Sequence, residues 1–127
     1  MLKTVANQLS QGTYTATLTP ATSGTIPLNS NFDTLAWVRT GNLVTVTGQI
    51  QTFNPVSPVG TNIRLNLPFA PADLPEISGR GGFMLNYQNT AVSAFWEEGT
   101  ALLYILKDAS TVLNGENLFI SFSYIAA

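Results

Sequence analysis

Leu35-Ala36-Trp37-Val38-Arg39-Thr40-Gly41-Asn42-Leu43-Val44-Thr45-Val46-Thr47-Gly48-Gln49-Ile50 is the stretch that decides the fold class. Two alternating runs flank Gly41-Asn42, and glycine tolerates the positive φ that a two-residue primed turn demands. Pairing Thr40 with Leu43 sets Arg39 opposite Val44, Trp37 opposite Val46 and Leu35 opposite Gly48. Leu35, Trp37, Val44, Val46 and Ile50 then share one side, while Thr45, Thr47, Gln49 and Gln51 take the other. A slip of one residue would invert the whole set, so turn chemistry and periodicity agree on a single register. Gly48 is read as leaving room for a bulky neighbour such as Trp37.

The same period extends in both directions. Residues 13–19 carry Thr at every second position with Tyr14, Ala16 and Leu18 between, the pattern of one half-buried strand, and turn formers dominate residues 20–31. Downstream, Ile63, Leu65, Leu67 and Phe69 alternate with polar residues until Pro68 and Pro71 stop the strand. Phe83, Leu85 and Tyr87 form the next set, followed by Val92, Ala94 and Trp96, and residues 101–106 are apolar on both faces. The last strand places Leu118, Ile120, Phe122 and Tyr124 on one side and Phe119, Ser121 and Ser123 on the other. Asn114-Gly115 resembles a hairpin turn, but a strict two-residue register would set Lys107 against Phe122, so a longer loop with a bulge is expected. These segments predict an all-β domain of about eight strands, an antiparallel β-sandwich of jelly-roll type. Its expected core is Tyr14, Leu18, Leu35, Trp37, Val44, Val46, Ile50, Leu65, Leu67, Leu103, Ile120 and Phe122.

A length of 127 residues fits one domain. Charged residues make up 9% of it, far below the usual quarter, so the surface is covered by Thr, Ser, Asn and Gln or is partly hidden by a partner. Lys3, Arg39, Arg64, Arg80 and Lys107 are scattered and cannot neutralise several phosphates together, which argues against nucleic acid as a partner. There is no cysteine, hence no disulfide, thiol nucleophile or thiolate metal site. The first residues hold one Lys and no continuous apolar run, so neither a signal peptide nor membrane insertion is expected. Leu2, Val5 and Leu9 are instead spaced as a and d positions of a short helix. Sparse charge, strands apolar on both faces and that a/d seam together predict a homotrimer.

Catalytic groups are scarce. With no histidine, acid–base work would fall to carboxylates, Lys or Tyr. Glu97 and Glu98 are neighbours that point to opposite faces of an extended strand, so they cannot flank one bond as glycosidase carboxylates do. They read as a solvated turn before Gly99. Gly79-Arg80-Gly81-Gly82 lacks the Lys-Ser/Thr of a phosphate loop and reads as a flexible connection. Asp33 with Asn29 and Asn31 lacks the terminal acid of a calcium loop and reads as a polar turn. The expectation is a protein that is not an enzyme and needs no cofactor or metal.

Several stretches, taken in order, resemble a domain found near the C-terminus of many tailed-bacteriophage tail fibre proteins. They are residues 12–19 as the opening strand, then Trp37, Gly41-Asn42 and residues 44–50, then the Ile-x-Leu-x-Leu-Pro-Phe run at 63–69, and residues 118–125 at the close. Many relatives have Tyr where this chain has Trp37. The resemblance implies a trimeric β-sandwich on the tip of a fibre, a virion component used for host attachment or as a trimerisation cap. It supplies no catalytic residue. Residues 1–11 are then expected to be a stem remnant and residues 12–127 the head, with any shaft on another chain or outside this sequence.

Receptor contacts are expected in loops at the end away from the N-terminus. Candidates are Asn29 and Asn31 in the 20–31 segment, Phe53 and Asn54 in the 52–61 loop, and the rings of Tyr87 and Trp96, read as lying near loops; the 97–99 turn is a further place to look. Amides and rings suit an uncharged glycan on a host cell surface, bound weakly at each site and multiplied by a trimer. The alternatives are a carbohydrate-binding module, which would be monomeric, a structural capsid or tail decoration protein without a ligand, and more remotely a hydrolase.

Overall fold

A computed structural model describes residues 9–74, 81–97 and 99–127. The strands are β1 (Leu9–Thr15), β2 (Leu18–Pro20), β3 (Ser23–Thr25), β4 (Thr34–Thr40), β5 (Leu43–Gln51), β6 (Val56–Val59), β7 (Ile63–Asn66), β8 (Gly81–Tyr87), β9 (Thr90–Trp96), β10 (Leu102–Ile105) and β11 (Asn117–Ile125). A 3-10 turn at Ala109–Thr111 precedes β11. Of the expected stem helix, Leu2 and Val5 lie outside the described residues, while Leu9, Ser10 and Gln11 belong to β1 and pair with Thr40, Arg39 and Val38.

The hairpin forms in the register its sequence dictates: Thr40 faces Leu43, Arg39 faces Val44 and Trp37 faces Val46. Leu35, Val44, Val46 and Ile50 are buried, and the outward set stays in solvent or half-covered. Gly48 makes room for Leu35 rather than Trp37. A Cβ built there, at a φ of 145°, would stand 2.7 Å from Leu35 Cδ2. The residue that yields to the tryptophan is Gly12, its partner on β1, where a Cβ would lie 2.8 Å from Trp37 Cζ2.

All strand pairs are antiparallel, and nine strands form one curled sheet in the order β1-β4-β5-β11-β8-β9-β10-β7-β2, with β3 and β6 as a separate ribbon. One continuous sheet therefore stands where two facing sheets were expected. The physical reason lies in residues 13–19, which are two strands and not one. β1 pairs with β4 at one sheet edge, and β2 pairs with β7 at the other. Ala16 and Thr17 span the gap, and the three residue steps from Thr15 to Leu18 reach at most about 11 Å, so the edges must curl towards each other. Asn66 ties the seam: its Nδ2 donates to Thr15 O, its Oδ1 accepts from Thr17 N, and its backbone carbonyl accepts from the Tyr14 hydroxyl.

The concave side is filled by the alternating apolar residues of every main strand. Leu18, Leu35, Val44, Val46, Ile50, Leu65, Leu67, Leu103, Ile120 and Phe122 are buried together, with Tyr14 and Trp37 partly buried against them. Trp37 meets Phe69 edge-on at 4.8 Å, and Phe83 stacks on Phe122 at 4.9 Å. Asn114-Gly115 does not join a hairpin, since β11 pairs with β5 and β8 and not with β10. Gly81 and Gly82, expected in a flexible loop, open β8.

The convex side is unusual in charge. The seven strands β1, β4, β5, β11, β8, β9 and β10 contain a single charged residue, Arg39, and its guanidinium turns to the concave-side Phe69 ring at 4.7 Å. Every outward position of those strands is therefore neutral. Leu9, Val38, Leu43, Met84, Phe119 and Ile125 stand exposed among Thr, Ser, Gln and Asn on that side. Register aligns Leu9, Thr40, Leu43 and Ile125 as one row across four strands.

Candidate functional site

β1 starts beside the Gly41-Asn42 turn and runs away from it. Arg39 donates to Gly41 O and Ala127 O, and Ala126 N donates to Asn42 O, so residues 125–127 gather at the same end. The opposite end of β4, β5 and β11 carries residues 27–34, 51–54, 86–90 and 113–117. The 20–31 segment thus leads to the end away from Leu9, as expected from the direction of the first strand.

Amides organise this far end. Asn29 N donates to Gln51 O, Asn29 Nδ2 donates to Gln51 Oε1, and Gln51 N donates to Phe32 O. Gln49 and Gln51 both donate to Asn117 Oδ1, at 2.9 and 3.2 Å, and Asn117 N donates to Gln88 Oε1. Each amide presents a donor and an acceptor, so a ladder of them holds four loops without introducing net charge. Beneath it, the buried Thr52 hydroxyl donates to Leu113 O at 2.6 Å and accepts from Glu116 N at 2.9 Å. Glu116 accepts from the Tyr87 hydroxyl and from Leu113 N, while Lys107 Nζ sits 4.5 Å above the Tyr87 ring. Burial, then the hydrogen bond and charge of Glu116, push the Tyr87 hydroxyl well above its ordinary pKa.

The sequence-derived candidates divide. Asn29 and Asn31 share one turn, with Asn31 N donating to Asn29 Oδ1. Phe53 is exposed next to Asn54, whose backbone N donates to Asn114 Oδ1, and Phe53 N donates to Pro27 O, so these four residues occupy one end. Tyr87 and Trp96 do not join them as surface rings. Tyr87 is 3% exposed and Trp96 5%, and Trp96 packs at the other end of β9 near Tyr124. Both point inward because they share the concave parity of β8 and β9 with Leu85 and Ala94. Glu97 follows Trp96 away from the far end, and Glu98, Gly79 and Arg80 lie outside the described residues.

Sequence reasoning missed Gln51, Asn117, Thr52 and Glu116 as organisers, and Phe32 and Leu113 as exposed apolar groups of the same end. The outward parity of Gln49 and Gln51 was visible, but their partner Asn117 required the pairing of β5 with β11, some 66 positions away. Among the described residues no three His, Cys, Asp or Glu side chains converge to hold a metal. The far end offers amide and hydroxyl groups, the carboxylates of Asp33 and Glu116, and scattered apolar contacts.

A cleft of about 320 Å³ opens beside these loops, between residues 16–20 and 24–28, with Asp33 on its wall. A second one of about 380 Å³ lies where Gly12 leaves space between Gln11, Thr13, Ala36 and Val38.

No protein-family model and no curated protein matches the chain. In fold it is similar to part of the Dettilon tailspike protein (gp208), with a TM-score of 0.58 and 20% identity. The likeness covers 93% of this chain and 24% of the tailspike, so the chain spans about a quarter of that protein's length. At this identity the likeness is one of fold.

Proposed function

We propose that this chain is a non-enzymatic head domain of a phage tail fibre or tailspike-like appendage, assembled as a homotrimer and presenting its far-end loops to a host receptor. The observation that carries the reading is the convex side. A soluble monomer of this size normally intersperses charges over its surface, and a side that is neutral across seven adjacent strands, with Arg64 of β7 at its margin over Tyr104, and dotted with six exposed apolar residues is the composition of a covered one. The fold likeness to a tailspike and the ordered sequence resemblance to fibre tip domains agree with this assignment, and so does the collection of the Leu9 start and residues 125–127 at one end, opposite the loops. Three copies entering from a common stem would leave the amide-rich ends pointing outward.

The reading is tested by absolute mass in solution together with adsorption of the fluorescently tagged chain to candidate host cells. A trimer that adsorbs supports it. A monomer at micromolar concentration that binds polysaccharide would support a carbohydrate-binding module instead. A trimer that decorates virions and ignores cells would support a structural role. Turnover of a glycan or ester by the purified chain would remove the non-enzymatic part of the proposal.

A further inference from the structure

We infer that the cleft walled by Asp33 is a binding site for one neutral sugar ring, held by a vicinal pair of its hydroxyls. The inference rests on the reading that this chain binds a host receptor, and it locates and specifies the contact. The floor of the cleft is apolar, with Ala16, Leu18 and Ile26 buried beneath it. Thr17, Thr19 and Thr25 are exposed members of its lining, and Asp33 is the one ionisable residue among the residues that line it. That carboxylate is free of cations among the described residues, where its partner is the neighbouring Thr34 hydroxyl, which donates to Oδ1 at 3.0 Å. Arg39 is held by Phe69, Gly41 and Ala127, Arg64 by Tyr104 and Asn62, and Lys107 lies over Tyr87.

The wall is fixed before any ligand arrives. Ala16 N donates to Asp33 O at 2.7 Å, Gln51 N donates to Phe32 O, and Thr34 pairs with Thr15, so the residues on both sides of Asp33 are anchored in the sheet. Leu18 bridges to Ile26 across the floor. A preorganised site loses little ordering entropy on binding. A carboxylate with two oxygens accepts from two adjacent hydroxyls at once, and charge-assisted bonds of this kind are stronger than neutral ones. Threonine hydroxyls can donate and accept as the ring requires, and the apolar floor suits its C–H face. The volume lies at the small end of ligand sites, which run from about 300 Å³ upward. One ring fits that volume, with further units of a chain leading towards Asn29, Asn31 and Phe53.

The test titrates the full-length isotope-labelled chain with methyl glycosides of glucose, galactose, mannose and rhamnose, and separately with methylammonium, while amide resonances are followed. Expected are millimolar shifts at residues 17–19, 25–26 and 33 with at least one glycoside, weakened about tenfold in Asp33→Asn with an unchanged melting temperature. The carboxamide introduced by Asp33→Asn keeps an acceptor for the Thr34 hydroxyl, so folding is preserved. Thr25→Ala should weaken binding less. The inference is overturned if none of the four glycosides shifts these amides, if methylammonium alone does, or if Asp33→Asn binds as tightly as the parent. Attachment to host cells separates the two claims. Parent-level attachment by Asp33→Asn sinks the cleft and spares the receptor-binding head, whereas failure of the parent itself to attach to any host sinks the head reading whatever the glycosides do.

Discussion

Thr52 has a threonine side chain in the core because two backbone groups need it: Leu113 O and Glu116 N both bond its hydroxyl. Thr52→Val keeps the shape and orphans both, so it should cost about 1–3 kcal/mol, read from urea denaturation. A change within experimental error would show that water reaches these groups. Trp37 is half-buried against Phe69 and Gly12, so Trp37→Ala should cost about 2–3 kcal/mol, below the about 3–5 of a fully enclosed ring. Burial also raises three tyrosine hydroxyls above 10.0, with Tyr124 pushed up to about 12 and Tyr14 and Tyr87 further. The unfolded chain would ionise them near 10. Stability is therefore whole below that pH and falls as pH rises through the folded values. In a Tyr104→Phe background, which leaves only these three rings, tyrosinate absorbance and loss of sheet circular dichroism should climb together above pH 10; ionisation at 10 with the sheet intact would contradict the burial. At this scale the sequence was legible in parity and illegible in exposure. Tyr87 and Trp96 sit beside turns in the sequence, yet inward parity decides where a ring points, and proximity to a loop does not.

The 35–50 hairpin was readable to the residue because its turn and its period are local. The β1–β2 junction was not. Residues 13–19 keep alternating through Ala16 and Thr17, with Tyr14 half-covered and Ala16 and Leu18 buried, although the strand changes partner from β4 to β7. Periodicity reports which face is buried and says nothing about which neighbour is paired. For the same reason Asn114-Gly115 carries a strong turn signal and yet connects strands that never meet. Asn66 holds the junction, so Asn66→Ala should speed hydrogen exchange at Thr17 N and cost about 1–2 kcal/mol, with β4–β5 amides unaffected. Uniform acceleration across the sheet would mean that the seam is not a separate unit.

The convex side is a property of the whole sheet, built by seven strands from distant parts of the chain, and no single segment displays it. Sparse charge was evident from composition, but where neutrality gathers depends on the folded arrangement. Val38 is exposed on this side, and Val38→Glu would place a desolvated charge in any covered interface. On the proposed trimeric assembly, the expected outcome is a monomer by light scattering with sheet circular dichroism retained. A trimer as stable as the parent would move the interface away from β4. The residue-level and element-level substitutions above lie on the concave side or at the seam, so they should leave the assembly state unaltered.

The placement of Leu9 and Ala127 at one end, with the loops at the other, also determines how the domain answers mechanical tension. A pull between Leu9 and Asn31 runs along β1, loading its seven residue pairs with β4 simultaneously in shear. A pull between Leu9 and Ala127 acts across the ends of β1, β4, β5 and β11, perpendicular to the strands, and opens the pairs in succession. Antiparallel hydrogen bonds lie perpendicular to their strands, so the first geometry resists with all of them and the second with one or two. Single-molecule stretching should therefore give a higher rupture force for the 9–31 axis than for the 9–127 axis at equal loading rate, and equal forces would refute the shear geometry. An appendage tethered at its stem and gripped at its tip would be strained along the stronger axis.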